Sequence, residues 1–131
     1  MADSMKHDET GGTITALFED GEDVLECYER LAGIYGIRHA VVLSGIGMLK
    51  DARIGYYKAD QKTGEWSYDW KVFCEPAELV STSGGIMVGD DGKHAIHVHV
   101  AIAGADHRLH GGHLGGGTVC VKNEVYINKL Q

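Results

Sequence analysis

Residues 93–103, Lys-His-Ala-Ile-His-Val-His-Val-Ala-Ile-Ala, alternate so regularly that they constrain the fold more than any other stretch of the chain. Successive side chains of a strand point to opposite faces. Ile96, Val98, Val100 and Ile102 then line one face, as a core requires. Ala95, His97, His99, Ala101 and Ala103 line the other, which leaves two imidazoles among methyl-sized neighbours with open space above them. A third histidine arrives in Leu109-His-Gly-Gly-His-Leu114, where glycines let backbone approach closely. Three neutral imidazoles are the ligand set of an open zinc site, with the fourth position left to water or substrate. A lone H-x-H arises by chance in a chain with eight histidines; the alanine-lined face and the Gly-flanked third His set this one apart. At this level His110 competes with His113 for the third place. His7, His39, His94 and His107 read as solvent-facing or loop residues, with His94 on the opposite side of the strand from His97.

A chain of 131 residues fits one domain that buries roughly two thirds of its unfolded surface. Nothing approaches 18 consecutive apolar residues, so no membrane-spanning helix is expected. The N-terminus is polar and acidic, without the apolar core of a signal peptide. Cys27, Cys74 and Cys120 are odd in number and far apart, which speaks for reduced thiols and a cytoplasmic setting, with the cysteines as small core hydrophobes. The net charge of −7 and the absence of any Lys or Arg run give phosphate backbones little to bind, so DNA binding by this chain alone is not expected.

Residues 1–11 read as a polar N-terminal lead-in ending at Gly11-Gly12, and residues 12–131 as the domain. Thr13–Phe18 is a short strand candidate. Negative charge over Glu19–Asp23 marks a helix start. Val24, Leu25, Tyr28, Leu31, Ala32 and Tyr35 then recur at helical spacing, with Gly36 as the stop. Strands are expected over His39–Met48, Asp51–Lys58, Trp66–Cys74 and Glu78–Ser83. Gly84-Gly85 suggests a bend or bulge, and Gly89–Gly92 a turn into the His97 strand. In Thr118–Ile127 the alternation puts Val119, Val121, Val125 and Ile127 on the apolar face and Cys120, Lys122, Glu124 and Tyr126 on the other. One main helix and about seven strands give an α+β fold, a single compact domain with a mostly antiparallel sheet. Gly45-Ile-Gly47 lacks the third Gly of a dinucleotide loop and precedes a strand, so it is rejected as a nucleotide site. In Gly111–Gly117 small residues let the backbone pack around a site or a subunit axis, in preference to a flexible loop.

The chain resembles the plants and prokaryotes conserved (PPC) domain family, also called DUF296, in its prokaryotic stand-alone form. The resemblance covers about residues 12–128. It rests on Leu17-Phe-Glu-Asp-Gly-Glu-Asp-Val24, on Val42-Leu-Ser-Gly-Ile-Gly-Met-Leu49 followed by Ala52–Tyr57, and on Glu78-Leu-Val-Ser-Thr-Ser-Gly84. Most specific are Asp91-Gly-Lys-His-Ala-Ile-His-Val-His-Val100 and Gly111-Gly-His-Leu114. The resemblance implies a homotrimer and a metal site on His97, His99 and His113, selecting His113 over His110. Plant relatives join the domain to AT-hooks that bind A·T-rich DNA; an Arg-Gly-Arg-Pro core is missing here. The fold is also similar to that of α-acetolactate decarboxylase, a zinc enzyme, although fold alone does not fix function.

These readings converge on a trimeric metal-binding protein with Zn²⁺ or another divalent transition metal, and open the prospect of a metal-dependent enzyme acting on a small anionic metabolite. Glu124, on the polar face of its strand, is the first candidate for general acid or base, and Arg108 a candidate grip for a carboxylate. A structural or sensory metal stands equally beside a catalytic one. The alternatives are a DNA-associated regulatory protein, as the plant relatives suggest, and a module that trimerises to recruit a partner.

Overall fold

In the computed structural model, which describes residues 5–131, seven strands and one helix follow one another along the chain. They are β1 (Lys6–Thr10), β2 (Thr13–Glu19), α1 (Val24–Ile34), β3 (His39–Ala59), β4 (Trp66–Phe73), β5 (Ala77–Val88), β6 (His94–Ala103) and β7 (Leu109–Lys129). All pairings are antiparallel, in the order β1-β2-β7-β6-β5-β3-β4. A further pairing of β7 with β3 closes β3, β5, β6 and β7 into a ring. Closure leaves only β1 and β4 as edge strands. The expected α+β class with one helix and a mostly antiparallel sheet holds, with the sheet predominating.

The helix begins where the acidic run ends. The Asp23 side chain accepts from Glu26 N at 3.0 Å, and Gly36 follows the C-cap Tyr35 with φ +56°. Val24, Cys27, Tyr28, Leu31 and Ala32 are buried against β2, β6 and β7, and Tyr28 meets Phe18 edge to face at 4.9 Å. Burial pushes the Cys27 thiol up to about 12, with the Glu22 carboxylate adding to it, so Cys27 is the small core hydrophobe expected. Cys74 is exposed instead, on the segment between β4 and β5.

Several sequence expectations need correction. Within the polar lead-in, Lys6–Thr10 forms a strand that the sequence reading did not mark: it pairs with Thr13–Leu17, and Gly11 (φ +58°) and Gly12 (φ +90°) supply the two positive dihedrals of a tight hairpin turn. Residues 1–4 lie outside the described part. All five β1 side chains are exposed and mostly charged, as suits a sheet edge. His39–Met48 and Asp51–Lys58 form one long strand bent by bulges, with Asp51 at φ +52°. Glu78–Ser83 likewise continues through Gly84-Gly85 to Val88, and the register shift in β5 falls between Leu79 and Ser81. On β7 the apolar alternation breaks at a bulge. Val121 has φ +67° and is 62% exposed, while Asn123 is turned into the core at 1%. Gly47 faces this bulge so closely that any Cβ there would collide with the Lys122 carbonyl. Asn123 Nδ2 donates to Met48 O and Lys122 O, which partners backbone that the bulge frees.

A buried polar chain ties helix to sheet. The Tyr28 hydroxyl bonds to Thr82, whose own hydroxyl donates to Gly45 O at 3.0 Å. Thr82 is 2% exposed, so Thr82→Val would leave two buried groups without partners. The expected loss is about 1–3 kcal/mol of stability in a urea titration; an unchanged midpoint would show that the chain carries no net stabilisation.

Candidate metal centre

The strand register builds the site from the backbone outward. Gly55 pairs with Trp70 and with His113, His113 with His99, and His99 with Ser83. One row therefore crosses β4, β3, β7, β6 and β5, and paired residues share a face. His97 sits two residues before His99 on that face. Their intervening neighbour Val98 is fully buried and Val100 is 5% exposed, as the alternation predicted.

Ligand nitrogens of His97, His99 and His113 all lie within 4.8 Å of one another. Ring centroids are 5.3 Å apart for His97–His99, 5.1 Å for His97–His113 and 5.7 Å for His99–His113. Nitrogens of a tetrahedral zinc site at about 2.0–2.1 Å from the ion stand about 3.4 Å apart, so modest side-chain rotation suffices. His97 and His99 are exposed and His113 half-buried. Nδ1 of His113 is buried and makes no hydrogen bond. Burial, with the neighbouring His97 and His99 adding to it, holds the His113 pKa below the ordinary histidine value. An imidazole with a lowered pKa beside two others suits a divalent ion. The donor set therefore fits.

The remaining candidates are not brought to this cluster. His110 lies on β7 in ring contact with Phe73 at 4.9 Å, paired opposite Ile102 rather than His99. Glu124 is eleven residues along β7 from His113, on the order of 30 Å of strand, beside Leu17 and Ile46. Its Oε1 is 3.4 Å from Lys122 Nζ. Arg108 occupies the turn before β7, 82% exposed at its side chain, with Nε 4.0 Å from Asp106 Oδ2. Neither makes an ion pair with the histidine cluster: Glu124 pairs with Lys122 and Arg108 with Asp106. Of the other histidines, His94 Nε2 bonds Ile37 O at 3.0 Å, His7 bonds Tyr35 Oη at 2.7 Å, and His107 sits in the β6–β7 turn.

Sequence reasoning passed over the neighbours that do meet the site. Tyr68 stacks on His113 at 4.8 Å and 25°, and Trp70 reaches to 5.9 Å. A Cβ on Gly55 would stand 2.8 Å from both rings, and one on Gly115 would collide with Trp70. Glycines at 55 and 115 leave the trough in which these rings lie. The signal was present: Trp66, Tyr68 and Trp70 alternate along one strand face.

A closed, β-rich α+β domain with an outward three-histidine cluster is the class that fold and site together define. The sequence profile of the Plants and Prokaryotes Conserved (PCC) domain matches residues 5–131, and the chain belongs to that family. A Pyrococcus horikoshii plant- and prokaryote-conserved protein is 27% identical over 97% of this chain and 82% of that one, with a TM-score of 0.81. A metal-containing protein from Archaeoglobus fulgidus is 31% identical over 95% and 83%, with a TM-score of 0.78. A candidate DNA-binding protein from Ralstonia eutropha JMP134 is 26% identical over 95% and 82%, with a TM-score of 0.80. No curated protein matches significantly. Among the described residues no helix is long and apolar enough to cross a membrane.

Proposed function

We propose that the chain is a homotrimeric metal-binding protein in which His97, His99 and His113 hold one divalent ion, zinc in the first instance, open to a small anionic ligand. One observation carries this reading: three ligand nitrogens converge within 4.8 Å on one outward sheet face. The Archaeoglobus relative supports it, being itself metal-containing. When bound, such an ion supplies Lewis acidity toward a carbonyl and a bound water of lowered pKa. The chain's part is to hold the His113 pKa down through burial and to fix its ring by stacking on Tyr68. With three neutral ligands the centre keeps its full positive charge, which favours an anionic ligand. Exposed Val41 shares the outer face with Gly85 and His97 by register, and exposed Met87 pairs with Ala95. These apolar groups support subunit contact near the site. A cytoplasmic setting agrees with three free cysteines. The test is metal analysis with light scattering on the purified protein: one zinc per chain at trimer mass is expected. A metal-free protein after zinc loading would refute the site, and a monomer mass the assembly.

The Ralstonia relative supports a second reading, DNA association. Charge placement weighs against it. Arg53 lies on one face of the β3–β4 ribbon with Trp70, while Lys58 and Lys71 lie on the other, where Lys58 Nζ is 3.9 Å from Asp69 Oδ2. The expected outcome of a fluorescence titration with A·T-rich duplex near physiological salt is no binding in the range of about 10⁻⁸–10⁻¹¹ M typical of specific sites. Tight binding that weakens steeply with salt would favour the regulator instead.

A further inference from the structure

Beside the histidines the β3–β4 ribbon carries a continuous layer of aromatic rings. Trp66 stacks on Tyr57 at 5.4 Å and 24°, Tyr57 meets Tyr68 at 4.8 Å, and Tyr68 stacks on Trp70 at 4.8 Å and 28°. The layer then touches the candidate ligand His113 through Tyr68. The guanidinium of Arg53 lies 3.8 Å above the Trp70 ring and, among the described residues, makes no ion pair. Tyr68 is 37% exposed, Tyr57 52% and Trp66 59%. Contiguous exposed apolar surface marks interaction sites, and here it adjoins both a three-histidine cluster and the Arg53 cation.

We infer that the ligand of the histidine centre is a planar, ring-bearing carboxylic acid, its ring packed on the exposed edges of Tyr68 and Trp70 and its negative charge answered by Arg53 and the metal. The inference rests on the metal-site reading above. Each element selects for one property. With the faces of Trp70 taken by Tyr68 and Arg53, the exposed ring edges reward a flat π-system over a saturated ring of the same size, because edge-to-face packing adds to the area buried. Arg53 is positioned to pair with a carboxylate, and its fork of donors takes such a group bidentately. Stacking on Trp70 leaves those in-plane donors free to do so. Single-stranded nucleic acid also stacks on aromatic strips, but it needs a cationic track along its backbone. This face of the ribbon offers Arg53 alone, in a chain of net charge −7.

Calorimetry on the zinc-loaded protein tests the inference with three probes: benzoate, cyclohexanecarboxylate and benzamide. Benzoate is expected to bind about three- to tenfold more tightly than cyclohexanecarboxylate, which has the same charge without the π-face. Benzamide, which keeps the ring and loses the charge, is expected to bind more weakly than benzoate. Trp70→Leu should abolish the preference for the flat ring, and Arg53→Gln the preference for the charge, with zinc content and mass in sedimentation unchanged. Equal binding of benzoate and its saturated analogue, no binding of benzoate, or a fall in oligomer mass on Trp70→Leu would each overturn it. Tighter, salt-sensitive binding of an oligothymidylate would do the same. Zinc content is measured separately, so a protein that takes up zinc but shows no ring preference fails this inference alone. One that prefers benzoate in metal-free form without ever taking up zinc fails the metal reading instead.

Discussion

Alanine in place of His113 is expected to remove stoichiometric zinc and to weaken whatever metal remains by at least about 100-fold, since even outer-shell losses reach that size. Three neutral donors are the minimum that the cluster offers, and among the described residues no other His, Cys, Asp or Glu joins it. With one gone, two exposed imidazoles on one strand remain, and water must fill the rest. The pH dependence follows from the same residue. Burial first, and then His97 and His99, lower the His113 pKa, so the folded chain holds this proton less well than the unfolded one. Its contribution to stability is full above the unfolded value of about 6.5 and is lost as pH falls through the lower folded value. Zinc binding follows the same direction, because every ligand must be deprotonated. Titration against a chromophoric chelator at pH 7.5 and 5.5 is the measurement. The wild type should lose affinity steeply between the two, and zinc at 100-fold above its dissociation constant should add about 2.7 kcal/mol of stability at the higher pH only. His113→Ala should show neither effect; retention of one tightly held zinc by the variant would remove His113 from the site.

The parts of this architecture that were readable in advance are those governed by short-range periodicity. The helix, the His97 strand and the Gly89–Gly92 turn depend on residues within a few positions of one another, and they stand where expected. The parts that were not readable depend on a distant partner. Val121 alternates like a core residue, yet it is expelled because Gly47 on β3 admits the β7 bulge and Asp20 Oδ1 takes the Val121 amide at 2.7 Å. Glu124 lies far along β7 from His113 for the same reason of scale. Its polar face was read correctly, but a 21-residue strand puts the two ends of one face in different places. The histidine cluster was legible because two of its members share a strand and the third is their cross-strand partner. Tyr68 and Trp70 were not, since only the β3 register, with Gly55 between the strands, lays them against His113.

Gly84→Ala is expected to be the most damaging single methyl group that can be added near the site. Gly84 has φ +151°, a conformation that side-chain-bearing residues rarely adopt. Its added Cβ would collide with the His97 carbonyl oxygen and stand 2.8 Å from Val98 Cα. Both are backbone atoms of the neighbouring strand β6, so no side-chain rotation relieves the overlap. Relief requires β5 and β6 to separate, which breaks ladder hydrogen bonds and shifts His97, the residue paired with Gly85 next door. The dihedral alone costs about 1–3 kcal/mol, and the collision adds to it. Gly85→Ala is the matched control. It has no positive φ, and its nearest neighbour would be Ala40 O at 3.4 Å, an ordinary contact. Urea unfolding of both variants should show a loss above about 2 kcal/mol for Gly84→Ala and less than about 1 kcal/mol for Gly85→Ala. Zinc titration should show the same order, with affinity reduced only where the His97 backbone is displaced. Equal stability of the two variants would mean that the β5–β6 pairing at Gly84 is not held as tightly as the register requires, and unequal stability with equal zinc affinity would uncouple the His97 position from this glycine.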